Sequence, residues 1–242
     1  MRRRFFVDHF EAGTAVLRGK AAHHVGRVLR TQPGQLYELS DGQAIWVGRV
    51  ARVGRDQVEF ALIESLPVQQ ARLRTVLLLA IVRFDRFEWS FEKATELGVE
   101  EIVPLAAARS KMALVRAAAK RAPRWQKILL ESAQQSRRLR PPLLRINTPR
   151  PVRPEDAFRE ARAALKVVLS ERPDAPTLRA ALEGKTATSA ALAVGPEGGW
   201  TDEELNAARS AGFAEASLGL NILRTETAVI SALAVLNHVF GD

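Results

Sequence analysis

The stretch "TVLLLAIV", residues 75–82, constrains the fold more than any other part of the chain. An apolar run of this length without alternation fits a strand buried on both faces, and such strands belong to parallel sheets covered by helices. The stretches that follow keep this rhythm. "DRFEWSFEKATELG" has helical periodicity and ends at Gly98, suited to a C-cap; "EEIVPL" is a strand; "APRWQKILLESAQQSRRL" is a helix stopped by Pro141 and Pro142. "LKVVLSE", "SAALAVG" and "AEASLG" are three more strands, with the helices "RPEDAFREARAA" and "DEELNAARSAG" between them. The closing helix "TETAVISALAVLNHVF" places Val229, Leu233, Leu236 and Phe240 on one apolar stripe. This alternation predicts an α/β domain with a mostly parallel sheet over residues 75–242.

Residues 1–70 have a different texture. "RRFFV", a hairpin around Asp41-Gly42 in "LYELSDGQAIWVGRV", and the alternating strand "QVEFALIES" predict a small β-barrel. One helix, "KAAHHVGRVLR", interrupts it, with Ala22, Val25, Val28 and Leu29 on one face; His23 and His24 read as helix surface. A linker is expected at residues 71–74.

Composition removes whole classes of chemistry. The 242 residues contain no cysteine, which excludes disulfides, thiolate metal sites and a cysteine nucleophile. The four histidines, His9, His23, His24 and His238, lack metal-ligand spacing, so no metal is expected. No apolar run approaches the roughly 18–20 residues that cross a bilayer. The basic opening "MRRRFFVDHF" has no apolar segment behind it, so no secretory signal and a cytoplasmic location are expected.

The net charge is +9, and its distribution is uneven. Between Arg109 and Arg153 thirteen Lys/Arg stand against a single acid, Glu131, giving +12, so the rest of the chain sums to −3. A concentrated basic segment is the footprint of a polyanion such as nucleic acid. The competing reading is a bias toward arginine, 29 against 7 lysines. Candidate phosphate contacts are Arg2, Arg3, Arg4, Arg27 and Arg30 in the first domain. In the second they are Arg83, Arg86, Arg109, Lys111, Arg124, Lys127, Arg137 and Arg138.

Two strand-to-helix junctions carry the remaining chemistry. In "LAVGPEGGWTDEEL" the glycines of Gly195-Pro196-Glu197-Gly198-Gly199 permit close backbone approach to a ligand, and Thr201 with Glu204 forms a capping box. The loop matches neither the dinucleotide nor the P-loop pattern. A carboxylate in its middle favours a cation or hydroxyl donors over a phosphate; a simple tight turn with Glu197 in solvent is the alternative. In "SLGLNILRTETAVISAL" a strand ends at Leu218, an irregular segment follows from Gly219 to Leu223 and a helix begins near Thr225; open α/β sheets bind ligands at such junctions.

"VGPEGGWTDEE" followed by "LGLNILRTETA", with "DRFEWSFEKATELGV" and "RWQKILLESAQQSRR", resembles the ribosomal RNA small-subunit methyltransferase E family of the SPOUT superfamily. "RRFFV" and "HHVGRVLR" resemble its N-terminal PUA-like domain, so the likeness covers nearly the whole chain. The resemblance implies a trefoil-knotted C-terminal domain, a homodimer, and methylation of N3 of one uridine in 16S rRNA. The last helix and "RWQKILLESAQQS" are the candidate dimer surfaces.

The resemblance also implies that S-adenosylmethionine is held by Leu169, Ser170 and Glu171, by Gly195, Pro196, Glu197, Gly198 and Gly199, and by Leu218, Gly219, Leu220, Ile222, Leu223 and Thr225. The family usually carries arginine before "ILR", where this chain has Asn221. Removing the N3 proton assigns candidate catalytic roles to Arg224, stabilising negative charge on the uracil oxygens, and to Glu226 as base. A helix N-terminus favours the charged form of a carboxylate and makes it a poorer base, so water as the proton acceptor is equally compatible. Methylation of a ribose 2′-hydroxyl or another base, and a non-catalytic role in ribosome assembly, are the alternative readings.

Overall fold

The computed structural model describes residues 3–146 and 151–241. The chain divides into two compact units, Met1–Gln70 with Ala133–Pro141, and Ala71–Ser132 with Pro142–Asp242. The first unit therefore takes in a segment, 133–141, that the sequence reading assigns to the second domain.

In the first unit the strands are β1 (Arg4–Phe6), β2 (Phe10–Glu11), β3 (Thr14–Arg18), β4 (Leu36–Ser40), β5 (Ile45–Val53) and β6 (Gln57–Leu66). They form one mixed sheet in the order β1-β4-β5-β6-β3-β2, with β1 parallel to β4 and the other pairs antiparallel. The β4–β5 turn uses Asp41, whose Oδ1 accepts from the amides of Gln43 and Ala44, at 2.9 and 2.8 Å. Gly48 sits where a Cβ would lie 2.5 Å from Leu39 Cδ1, so any larger residue there would have to push the Leu39 side chain aside.

The helix of this unit departs from its expected face. It starts as α1 (Gly19–His23) and continues as a π turn, His24–Val28, with the amide of Leu29 donating to the carbonyl of His24 at 3.0 Å. The wider turn, with its i→i+5 bond, rotates later residues away from the α-helical stripe. Val25 is buried, whereas Val28 is 60% exposed instead of joining the core.

The second unit contains β7 (Arg74–Ala80), α2 (Phe84–Glu96), β8 (Glu101–Leu105), α3 (Met112–Gln135, whose residues from Ala133 on belong to the first unit), β9 (Leu143–Leu144), α4 (Pro154–Glu160) and β10 (Leu165–Leu169). After these come α5 (Leu178–Leu182), β11 (Ser189–Val194), α6 (Asp202–Ser210), β12 (Ala214–Ala216) and α7 (Thr225–Phe240). Arg74, expected in the linker, is the first residue of β7. All six strands are parallel, in the order β12-β10-β11-β7-β8-β9. Successive residues of β7 feed opposite cores. Leu77 and Leu79 join Phe87, Phe91, Trp125, Val229 and Leu233 on one face; Leu78 and Ala80 join Phe158, Trp200 and Phe213 on the other.

Helix α3 is longer than the sequence suggests. It begins at Met112 and runs through Pro123, although an interior proline costs about 3 kcal/mol. The compensation is burial: Val115, Ala118, Trp125 and Leu129 recur on one face, and Trp125 packs on Phe84, Phe87 and Phe91 with ring centroids 5.8, 5.0 and 5.5 Å away. The helix ends before Pro141 and Pro142 are reached, and Arg137 takes a left-handed φ of 55° just beyond it. Among the described residues no helix is long and apolar enough to cross a membrane.

Candidate active site

The loops that leave the C-terminal ends of β10, β11 and β12 surround one cleft of about 1050 Å³. The loop after β11 is its most tightly built wall. The amide of Gly199 donates to the carbonyl of Pro196 at 2.9 Å, closing a turn that Gly199 completes with φ 70°. The indole of Trp200 lies beneath it: a Cβ on Gly195 would approach that ring to 3.1 Å. The indole itself is fixed, since Nε1 donates to the carbonyl of Leu169 at 3.0 Å and the ring meets Phe158 edge-on. On the other side Arg109 donates from Nη1 to the carbonyl of Gly198 at 2.7 Å. The capping box follows, with Thr201 and Glu204 exchanging hydrogen bonds at the start of α6.

The other two walls are laced together. The amide of Ser170 donates to the carbonyl of Ala216 at 2.9 Å, and Ser217 pairs with the loop after β10 through Pro176 and Leu178. Beyond Ser217 the chain is open and apolar, with Leu220 and Ile222 at 105% and 76% exposure. It then turns into α7, where the Thr225 hydroxyl donates to the carbonyl of Gly195 at 3.3 Å and joins the third wall to the first.

Charge in the cleft is arranged in opposed pairs. Arg86, in the first turn of α2, makes a short hydrogen-bonded ion pair with Glu197, and its Nε lies 3.8 Å from Glu226 Oε1. Arg172 binds Asp202 at 3.0 Å. Glu171 reaches solvent at the rim, yet the surrounding protein partly desolvates its carboxyl and raises its pKa above the ordinary value of 4.5. Among the described residues no group of three or more His, Asp or Glu is placed to hold a metal ion.

All fourteen residues expected to hold the cofactor line this cleft, as do Arg224 and Asn221. Glu226 does not. It is 5% exposed, it lies outside the lining, and its Oε2 has no hydrogen-bond partner. Sequence reasoning missed Arg172 and Trp200, although Trp200 directly follows the glycine loop, and it placed Arg86 among phosphate contacts rather than at the loop it grips.

The expected RNA contacts scatter. Arg2 lies outside the described residues. Arg4 is buried and pairs with Glu38 at 2.8 Å, and Arg137 lies 3.5 Å from the same carboxylate, so both are committed inside the first unit. Arg86 is committed as described. Arg3 is partly buried with its guanidinium 6.0 Å from the Phe5 ring, and Arg138 is also partly buried. Arg83 pairs with Asp85, Arg124 with Glu88 and Lys127 with Glu131, all as partly exposed surface pairs. Arg27, Arg30, Arg109 and Lys111 are exposed.

Residues 69–237 match the family model of an RNA methyltransferase domain. The chain is 33% identical over 228 residues to the ribosomal RNA small subunit methyltransferase E of Synechocystis sp., covering 93% of this chain and 73% of that one. It is 32% identical over 242 residues to the protein of the same name from Mycobacterium tuberculosis, covering 96% and 90%. Among solved structures, ribosomal RNA small subunit methyltransferase E from Neisseria gonorrhoeae, bound to S-adenosylmethionine, superimposes with a TM-score of 0.87 at 28% identity, covering 100% of this chain and 99% of that one. A Legionella pneumophila protein in complex with the same cofactor superimposes with a TM-score of 0.86 at 33% identity, covering 100% and 99%. With this much of its length matched, the chain belongs to the ribosomal RNA small subunit methyltransferase E family.

Proposed function

We propose that this chain transfers a methyl group from S-adenosylmethionine to N3 of a uridine in the 16S rRNA of the small ribosomal subunit. The observation that carries the reading is the single cleft formed by the loops after β10, β11 and β12, whose walls contain every residue the family resemblance assigns to the cofactor. The cleft also fits that group chemically. Gly195 and Gly198 keep the loop free of side chains, with Trp200 and Arg109 packed directly behind them. Leu169 and Val194 supply apolar floor for an adenine, and Glu171 supplies a carboxylate for ribose hydroxyls or the cationic end.

When bound, S-adenosylmethionine supplies an activated methyl on a sulfonium, free of phosphate. The chain's own work is to orient the acceptor for in-line attack and to stabilise developing charge. Arg224, exposed at the start of α7 and lining the cleft, is assigned the uracil oxygens, where its permanent charge favours the N3 anion. Glu226 is buried outside the lining and faces Arg86, so water rather than Glu226 takes the N3 proton in this reading.

The finer assignments rest on the family. Residues 1–70 are read as a PUA-like RNA-binding barrel, residues 75–242 as the knotted catalytic domain, and the protein as a cytoplasmic homodimer. RNA capture falls to the exposed cations Arg27, Arg30 and Lys111, while Arg109 is held on the carbonyl of Gly198. The test is to incubate hypomethylated small subunits with labelled S-adenosylmethionine and map the product nucleoside by mass spectrometry. Label on N3 of one uridine is expected; label on a ribose 2′-hydroxyl or another base refutes the substrate assignment, and no label with no cofactor binding refutes the activity.

A further inference from the structure

The pair between Arg86 and Glu197 joins two elements that are 111 residues apart in sequence. Arg86 belongs to the first turn of α2, and Glu197 is the central residue of the turn after β11. The same guanidinium faces Glu226 in the first turn of α7, so one cation serves two carboxylates on two different elements. Glu226 depends on it heavily. Oε1 is 3.8 Å from Arg86 Nε, Oε2 is buried without a partner, and a carboxylate so buried is costly without a compensating charge.

Helices α2 and α7 pack side by side, and a second polar tie marks their other ends. Asn237 Nδ2 donates to the carbonyl of Leu97 at 2.8 Å. Leu97 lies eleven positions after Arg86, and Asn237 eleven after Glu226, so the two helices run parallel and in step between their ties. Between these ends lie Phe87, Phe91, Ala94, Val229, Leu233 and Leu236, apolar side chains that any sliding of one helix would have to repack. Arg86 is the tie at the cleft end, next to the hydrogen bond from Thr225 to Gly195.

We infer that Arg86 is a positioning residue for cofactor binding. It holds the Pro196–Gly199 turn against α7 through Glu197 while fixing α7 through Glu226, and so sets the shape of the wall that meets the ligand. The inference rests on the reading of this cleft as the S-adenosylmethionine site. It also gives Glu197 a definite role, to hold the loop rather than to touch the ligand. A guanidinium shared in this way is not available to an RNA phosphate.

The test uses the full-length protein with Arg86→Met, Glu197→Gln, their double variant and Arg86→Lys. S-Adenosylmethionine affinity is measured by calorimetry, RNA affinity across a salt series, and amide exchange in the ligand-free protein. Arg86→Met is expected to raise the cofactor Kd at least tenfold and to speed exchange at the Gly199 amide at least tenfold, with the β7 amides unchanged. The double variant is expected to bind no worse than Arg86→Met, because Glu197 has by then lost its partner. Lysine, a single point charge, is expected to restore affinity to within about threefold of wild type. The logarithmic salt slope of RNA binding is expected to stay constant.

Because Arg86→Met leaves Glu226 buried and unpaired, Arg86→Met/Glu226→Gln replaces it if the single variant does not fold, with the same expected loss of affinity. Unchanged cofactor affinity and exchange in Arg86→Met, additive effects with Glu197→Gln, or a salt slope shallower by about one would overturn the inference. If the wild-type protein binds no S-adenosylmethionine while Arg86→Met still loosens the Gly199 amide, the assignment of the cofactor fails and only the tie between the turn and α7 stands, without its role in cofactor binding.

Discussion

The buried carboxylate of Glu204 accepts a hydrogen bond from the backbone amide of Ala108, 96 residues away, at 2.8 Å. Its second oxygen accepts from the amide of Thr201 at 2.9 Å and completes the capping box. One side chain thus starts α6 and pins it to the loop that follows β8. Replacing Glu204 by alanine removes the acceptor from two amides that water can partly reach, since Ala108 is exposed and Thr201 only partly buried, so each lost bond costs about 0.5–1.5 kcal/mol. Glu204→Ala is expected to lower unfolding free energy by about 2 kcal/mol in urea titration, and Glu204→Gln, which keeps one acceptor, by about half as much. A loss below about 1 kcal/mol for the alanine variant would contradict this account.

Glu171 is expected to make ligand binding sensitive to pH. Partial desolvation raises its pKa in the folded state, so its protonated form is favoured relative to the unfolded chain. By linkage, the group's contribution to the stability of the free protein is present below the unfolded pKa and is lost as pH rises through the folded value. Binding runs the opposite way, because hydroxyls and cations prefer the carboxylate. Cofactor affinity is therefore expected to fall on acidification, beginning above the pH at which an ordinary glutamate protonates. The step should vanish in Glu171→Gln; a pH profile identical in the two proteins would remove Glu171 from the site.

A methyl group at residue 195 tests the backing of the loop. In Gly195→Ala the new Cβ meets the Trp200 indole at 3.1 Å, and the hydrogen bond to Leu169 prevents the ring from withdrawing. The loop must then move into the cleft. The cofactor Kd is expected to rise about tenfold, equivalent to about 1.4 kcal/mol, while the thermal midpoint shifts by only a few degrees. Calorimetric titration showing wild-type affinity would mean that the cradle tolerates the added carbon.

The arginines of the first unit separate into two kinds. Arg4→Ala leaves Glu38 buried with only the more distant Arg137 and is expected to cost about 2–3 kcal/mol of stability. Arg27→Ala and Arg30→Ala remove exposed charges and are expected to leave stability within about 0.5 kcal/mol. Each of these two should instead make the salt dependence of RNA binding shallower by about 0.7–0.9 in logarithmic slope. Denaturation and filter binding on the same three proteins check both halves of the contrast.

The sequence was most readable where burial follows one plain pattern, continuous in a strand covered on both faces or a stripe along a helix. β7 feeds two cores with alternate residues because both its faces are covered, and α7 spans the stretch from Thr225 to Phe240 that its stripe predicts. Reading failed where tertiary packing overrules local preference. Trp125 and its aromatic neighbours carry α3 through Pro123, and the π turn after His23 sends Val28 to solvent. β9 and α5, two and five residues long, are too short to show any period. In the site, the loops were legible because glycine, proline and capping residues announce strand-to-helix turns. The partner of Glu197 was not, because nothing local to residue 197 indicates a side chain on α2. Charge counting likewise could not separate Arg4 from Arg27: both are arginines in a basic protein, and only a facing carboxylate commits one of them to the interior.

The segment 133–141 gives the chain an interleaved plan. Its backbone passes between the two units three times, at 70–71, 132–133 and 141–142. The first unit takes from the returning segment the Arg137 guanidinium, the Arg137 carbonyl that receives Arg4, and the Leu139 carbonyl that receives the Ser40 hydroxyl at 2.6 Å. A gene fragment ending at residue 70 would therefore encode a sheet lacking part of its own interior. The amino-terminal unit cannot be swapped between proteins as a cassette, and its inheritance is bound to that of the helix that returns to it.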